Sequence, residues 1–147
     1  SDLTRAARLL GRPYSISGRV VSGDQVGRKL GFPTANVQMK HNRAPLAGIF
    51  AVEVAGAAGH TLRGAASLGV RPTVHEKGRM VLEVYLFDFT GDLYGKHIRV
   101  DFLHKLRDEA KYVDLDTLKR QIAADVADIK SYFQRRDAEA LRTQPRR

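Results

Sequence analysis

The stretch MVLEVYLFDF (Met80–Phe89) decides the fold class. Leu82, Val84 and Leu86 fall on one side of an extended chain; Val81, Tyr85 and Phe87 fall on the other. Successive side chains of a strand point to opposite faces, and this run is aromatic and β-branched on both. Such a strand belongs in the middle of a sheet and must be covered on both sides. One residue breaks the pattern, the carboxylate of Glu83.

Working outward, the same period of two recurs in YSISGRVVS (14–22), GIFAVEV (48–54), LRGAASLG (62–69) and KHIRVDFL (96–103). In the last, Ile98, Val100 and Phe102 face one way while His97, Arg99 and Asp101 face the other. Turn signals separate the runs: Gly23-Asp24, Ala47-Gly48, Gly56 to Gly59, Arg71-Pro72-Thr73, Lys77-Gly78 and Thr90-Gly91-Asp92. Short strands at this spacing predict a closed or nearly closed antiparallel barrel, with an open sandwich as the other architecture.

The period lengthens after Tyr112. Asp114 or Asp116 can cap a helix whose Leu118, Ile122, Val126, Ile129 and Phe133 make one apolar stripe, with Lys119, Arg120, Asp125 and Lys130 on the opposite face. Leu3, Ala6, Ala7 and Leu10 also have helical spacing, in a short segment that reads as the end of a longer helix or of a preceding domain. The expected organisation is a helix or linker over 1–11, a β-barrel core over 12–112, a helix over 113–135 packed on the barrel, and a frayed tail over 136–147.

Composition narrows the classes. The 147 residues are 43% hydrophobic, enough for one real core. There is no cysteine, which excludes disulfides, thiolate zinc sites and cysteine nucleophiles. The start of the chain carries Asp2, Arg5, Arg8, Arg12 and Arg19 with no long apolar run, so it is no secretory signal, and no stretch is long enough to span a membrane. A cytoplasmic location is expected. The net charge of +9 lies mostly on the central body and suits an anionic partner, either nucleic acid or a polyphosphate such as ATP, or simply a soluble surface.

Three segments bear on chemistry. GDQVGRKLGFPTAN (23–36) places glycines that allow close backbone approach beside Arg28 and Lys29, a combination suited to phosphates. It is not a Walker loop. Thr34 and Asn36, two residues apart, point the same way if extended, and both offer neutral hard oxygens for Mg²⁺. A proline turn closed by an asparagine reads equally well. Glu83 is a lone carboxylate in an apolar strand, costly to bury unless paired or used; it can act as a base, or face solvent beside Arg63 or Arg99. Glu53 is its competitor and looks like an ordinary exposed strand residue. LRDEAKY (106–112) offers charge and a ring in a connection that can hold a flat ligand or simply be solvated. In Asp92-Leu93-Tyr94-Gly95, a hairpin turn, Tyr94 is expected to cover the barrel mouth.

GRKLGFPTAN, LGVRPT, LEVYLFDF, DLYG and LRDEAKY occur in the order seen in riboflavin kinases, over about residues 11–135. The chain most resembles the C-terminal kinase module of bacterial bifunctional FAD synthetases. That resemblance implies a mainly β fold, a six-stranded antiparallel Greek-key barrel with a long C-terminal helix. It implies a riboflavin kinase that moves the γ-phosphate of Mg-ATP to the 5′-hydroxyl of riboflavin, giving FMN and ADP. By position, Glu83 matches the catalytic base, and Thr34 and Asn36 match the Mg²⁺ site beside the phosphates. Gly23, Arg28, Leu86, Asp88 and Tyr94 match the ATP pocket. Arg107, Ala110 and Tyr112 match flavin contacts, and Gly69 through Thr73 up to Arg79 match a mobile flap. Tyr85 and Val74 depart from the common family pattern, at positions that bear on flavin affinity and flap closure. The likeness also implies fusion to an N-terminal FMN adenylyltransferase domain, with no role for nucleic acid or a membrane. A basic nucleic-acid-binding barrel of the OB type and a flavin-binding module without turnover are the competing readings.

Overall fold

The computed structural model describes Leu3 and residues 11–21, 31–40, 46–71 and 79–143. Six strands form a closed antiparallel barrel: β1 (Tyr14–Val21), β2 (Ala35–Gln38), β3 (Gly48–Ala55), β4 (Leu62–Arg71), β5 (Arg79–Leu86) and β6 (His97–Arg107). Around the barrel the order is β1-β2-β5-β4-β3-β6, and β6 closes the ring by pairing with β1. The meander β3-β4-β5, with β6 returning beside β3, is the Greek-key arrangement. Closure leaves no free edge, which answers the sandwich alternative.

The alternation read in the sequence sets the two faces. Phe50, Val52, Val54, Leu68, Leu82, Val84, Val100 and Phe102 point inward and are at most 2% exposed. Phe50 and Phe102 meet edge to face, ring centroids 5.1 Å apart. Leu3, the described residue of the N-terminal segment, is helical and joins this core; the rest of the helix expected over 3–10 lies outside the described residues.

One helix, α1 (Leu115–Thr143), packs on the outer face of β3, β4 and β6. Its Val126, Ile129 and Phe133 pack on Ala51 and Phe87, with Tyr85, Ala65 and Leu106 around them. The stretch 80–89 is thus covered on its outer side only toward its end, at Tyr85 and Phe87, and the middle of β5 around Glu83 stays part-exposed. The Asp114 carboxylate accepts a hydrogen bond from the backbone N–H of Thr117 at 2.7 Å, and this bond holds its pKa below the usual carboxylate value. Asp114 is thus the cap.

Four expectations need correction. The helix does not stop at residue 135: it continues to Thr143, because Asp137 is tied to Arg63 of β4 by two hydrogen bonds of 2.7 and 2.8 Å and the last turns hold good helix formers. Asp125 is not on the solvated face but buried, for a reason given below. The loop read over 23–36 ends earlier than expected: residues 35–38 are the short strand β2, with Ala35 and Val37 on the core side and Asn36 and Gln38 outward. At the barrel mouth Leu93 is the buried residue, and Tyr94 is 67% exposed; the backbone N–H of Gly95 on the carbonyl of Val20 turns Leu93 in. No helix among the described residues is long and apolar enough to cross a membrane.

Candidate active site

On the outer face of the barrel, strand pairing lines up one row of side chains. Asn36 on β2 lies opposite Glu83 on β5, Glu83 lies opposite Ser67 on β4, Ser67 opposite Ile49 on β3, and Ile49 opposite Arg107 on β6. Directly opposed residues share a face, with side chains about 5 Å apart. Antiparallel pairing alone therefore sets an amide, a carboxylate and a hydroxyl side by side.

Thr34 precedes β2 and enters the same group. Its Oγ1 donates a hydrogen bond to Glu83 Oε2 at 3.2 Å, in a half-buried setting. Thr34, Asn36 and Glu83, singled out separately in the sequence, converge on one patch. A donating Thr hydroxyl keeps its oxygen lone pairs. Thr34 and Asn36 can thus offer oxygen to a cation in front of Glu83, and three hard donors of low total charge fit Mg²⁺ that shares its shell with phosphate and water. The donor set fits the ion that the motif suggests. Among the described residues no group of three or more His, Cys, Asp or Glu stands ready to hold a metal unaided.

The competing pairings for Glu83 are taken by others. Arg63 binds Asp137 and lies 3.7 Å from Glu53, while Arg99 binds Asp101 at 3.0 Å. Glu53 is thus an ordinary surface partner of its cross-strand neighbour Arg63.

Beyond Ser67 the row meets the connection that follows β6. Ser67 Oγ donates to Glu109 Oε1 at 2.6 Å. Arg107, the last residue of β6, makes a two-pronged pair with Asp125 of α1, at 2.9 and 2.6 Å. Hydrogen bonding to Asp125 raises the Arg107 pKa above its ordinary value. Gln121 adds a hydrogen bond to Asp125 at 2.9 Å, so the buried carboxylate is satisfied. The Arg107 guanidinium lies 5.9 Å from the centroid of the Tyr112 ring. Ala110 is exposed between them.

The other expected residues scatter. Leu86 points into the barrel core at 6% exposure, off the row of Glu83. Asp88, at φ 53°, takes a left-handed conformation just after β5 and borders an open groove of about 450 Å³ with Phe87, Lys130 and Asp137. Tyr94 stands in solvent, in a turn where Asp92 Oδ1 accepts the Tyr94 backbone N–H at 2.8 Å. Gly23 and Arg28 lie outside the described residues, as do residues 72–78 of the flap; Gly69 belongs to β4, opposite Val81, and Arg79 opens β5. Sequence reasoning missed Ser67 and Asp125. Ser67 has a signal in retrospect, a hydroxyl two residues before a glycine on an outward strand position.

Residues 10–133 match the family model described as Flavokinase, riboflavin kinase. The bifunctional riboflavin kinase/FMN adenylyltransferase of Haemophilus influenzae is 45% identical over 133 residues, 90% of this chain and 42% of that protein. The chain thus spans about two fifths of this relative's length. The crystal structure of a macrolide-efflux protein from Streptococcus pneumoniae matches with a TM-score of 0.75 and 34% identity, over 84% of this chain and 40% of that one. A riboflavin kinase structure from Trypanosoma brucei matches with a TM-score of 0.58 and 22% identity, over 91% and 88%, and shares the fold.

Proposed function

Because the chain belongs to the riboflavin kinase family, we propose that it transfers the γ-phosphate of ATP to the 5′-hydroxyl of riboflavin through the patch formed by Thr34, Asn36 and Glu83. The observation behind this reading is the 3.2 Å bond between Thr34 and Glu83, with Asn36 paired to Glu83 across β2 and β5. Phosphoryl transfer asks a protein for in-line placement, charge neutralisation and an oriented nucleophile more than for covalent help.

In this mechanism Glu83 accepts the proton of the 5′-hydroxyl as its oxygen bonds to the γ-phosphorus. The bond from that phosphorus to the β–γ bridging oxygen breaks, and ADP leaves with the electron pair. Thr34 fixes the Glu83 carboxylate by its hydroxyl. Thr34 and Asn36 would hold Mg²⁺, which when bound would neutralise phosphate charge. Arg28 and Gly23 take part in wrapping the nucleotide and Asp88 and Tyr94 in lining its pocket, while Leu86, turned into the barrel core, supports that wall from behind; Arg107, Ala110 and Tyr112 serve the flavin. The full-length protein joins this module to an FMN adenylyltransferase part, as in the named relative; the module alone stops at FMN.

The test is direct. Incubation of the chain with riboflavin and Mg-ATP yields FMN by chromatography; oligonucleotide binding with steep salt dependence and no ATP consumption would instead support the nucleic-acid reading. Thr34→Ala and Asn36→Ala each raise the Mg²⁺ concentration for half-maximal rate by about tenfold, the worth of one modest ligand. Unchanged metal dependence in both variants removes the site.

A further inference from the structure

Two pins fix the connection 108–112 between β6 and α1. One is Arg107 on Asp125 of the helix. The other is Glu109, whose carboxylate reaches back to β4, accepts the Ser67 hydroxyl at 2.6 Å and sits directly on Gly69. Gly69 and Ser67 lie on the same outward side of β4, and Ser67 is the cross-strand partner of Glu83. A Cβ built on Gly69 overlaps the Glu109 carboxylate, and its three nearest heavy atoms all belong to that group. Gly69 has no positive φ, so its backbone is one that any residue adopts. Its lack of a side chain serves close approach and nothing else.

We propose that Glu109 is a positioning residue: through Ser67 and the bare Cα of Gly69 it seats the 108–112 connection on β4, beside Glu83, and so sets the wall against which riboflavin binds. The proposal rests on the riboflavin kinase reading for its ligand, but the seat itself rests on contacts alone. The wall lies on the opposite side of Glu83 from Thr34 and Asn36, so it acts on the acceptor substrate and not on ATP. It also gives the first residues of the flap a fixed role: Gly69 is part of the seat, not of a moving segment.

Gly69→Ala is the decisive variant, because the clash falls on the far end of a flexible side chain and not on backbone. The strand accepts alanine, and stability stays level or rises slightly, since alanine restricts the unfolded chain. Glu109→Ala removes the pin, whereas Glu109→Gln keeps a carbonyl oxygen for Ser67. The expected result is a rise of about tenfold in riboflavin KM for Gly69→Ala and for Glu109→Ala, the loss of one good hydrogen bond. The ATP KM stays within about twofold in both. The effects do not add, so Gly69→Ala does nothing further in the Glu109→Ala background, and Glu109→Gln stays near the parent. Trypsin supplies a readout free of substrate: cleavage after the exposed Lys111 speeds up in both seat-breaking variants and not in Glu109→Gln. Additive effects, an equal loss with Glu109→Gln, or unchanged cleavage in all variants overturn the seat. A parent protein that makes no FMN sinks the kinase reading instead, and the cleavage rates still decide the seat.

Discussion

Glu83→Gln lowers turnover by at least about 10²-fold while leaving the barrel folded, the scale expected when a positioned general base is removed. The substitution is close to isosteric, and the Gln carbonyl still accepts the Thr34 hydroxyl that Glu83 Oε2 now accepts at 3.2 Å. The pairing of β5 with β2 and β4 involves backbone and is untouched. Only proton acceptance is lost. Because the base acts as the nucleophile's O–H bond breaks, the loss falls on kcat and leaves the ATP KM within about twofold. Glu53→Gln is the matched control. Glu53 is a carboxylate at an outward strand position, 3.7 Å from the half-exposed Arg63, and such surface pairs contribute little. Its variant keeps full activity. Steady-state FMN formation by the three proteins decides the matter: near-parental kcat for Glu83→Gln removes the base, and equal losses at Glu83 and Glu53 reduce the effect to surface charge.

Glu83 is legible in the sequence because a charge stands out in an apolar strand. Period-two strands rich in apolar residues announce where a charge is out of place, and MVLEVYLFDF left that charge alone among hydrophobes on its own side of the strand. The barrel was legible on the same grounds, since β3, β4, β5 and β6 each alternate or are apolar throughout. β2 was not. A strand of four residues, with only Ala35 and Val37 inward, is too short to stand out as a period, and its place between β1 and β5 comes from pairing partners far away in sequence. The helix stripe follows its period except at Asp125, a polar residue beside Val126 that the pattern places in solvent and the structure buries. Its burial depends on Arg107, 18 residues earlier, delivered to the same spot by the end of β6. Periodicity ranks residues by hydrophobicity and cannot know that a guanidinium waits across the interface. Thr34 and Glu83 show the complementary case: each was recognised by residue type, yet their contact, at a separation of 49, exists only through the register of β2 on β5.

Arg107→Met destabilises the protein by about 3 kcal/mol, the cost of leaving a buried carboxylate without its charged partner. The Asp125 side chain is only 7% exposed and that of Arg107 25%, so water does not replace the lost guanidinium. Gln121 still donates one hydrogen bond at 2.9 Å, which keeps the loss at the lower end of the range for broken buried pairs. For a chain of this size the midpoint of thermal unfolding falls by roughly 6–12 °C. If the buried charge is the cause, removing it restores stability: Arg107→Met combined with Asp125→Leu regains most of the loss, because an apolar pair of similar volume suits the space between β6 and α1. Equal stability of the single and double variants would instead mean that Arg107 contributes through packing of its stem and not through Asp125. The double variant also separates the two roles of Arg107. A guanidinium that serves the flavin through its place beside Tyr112 is missing from both proteins, so riboflavin KM stays raised in the restored double variant; if it returns to the parental value with stability, Arg107 does no more than anchor the helix.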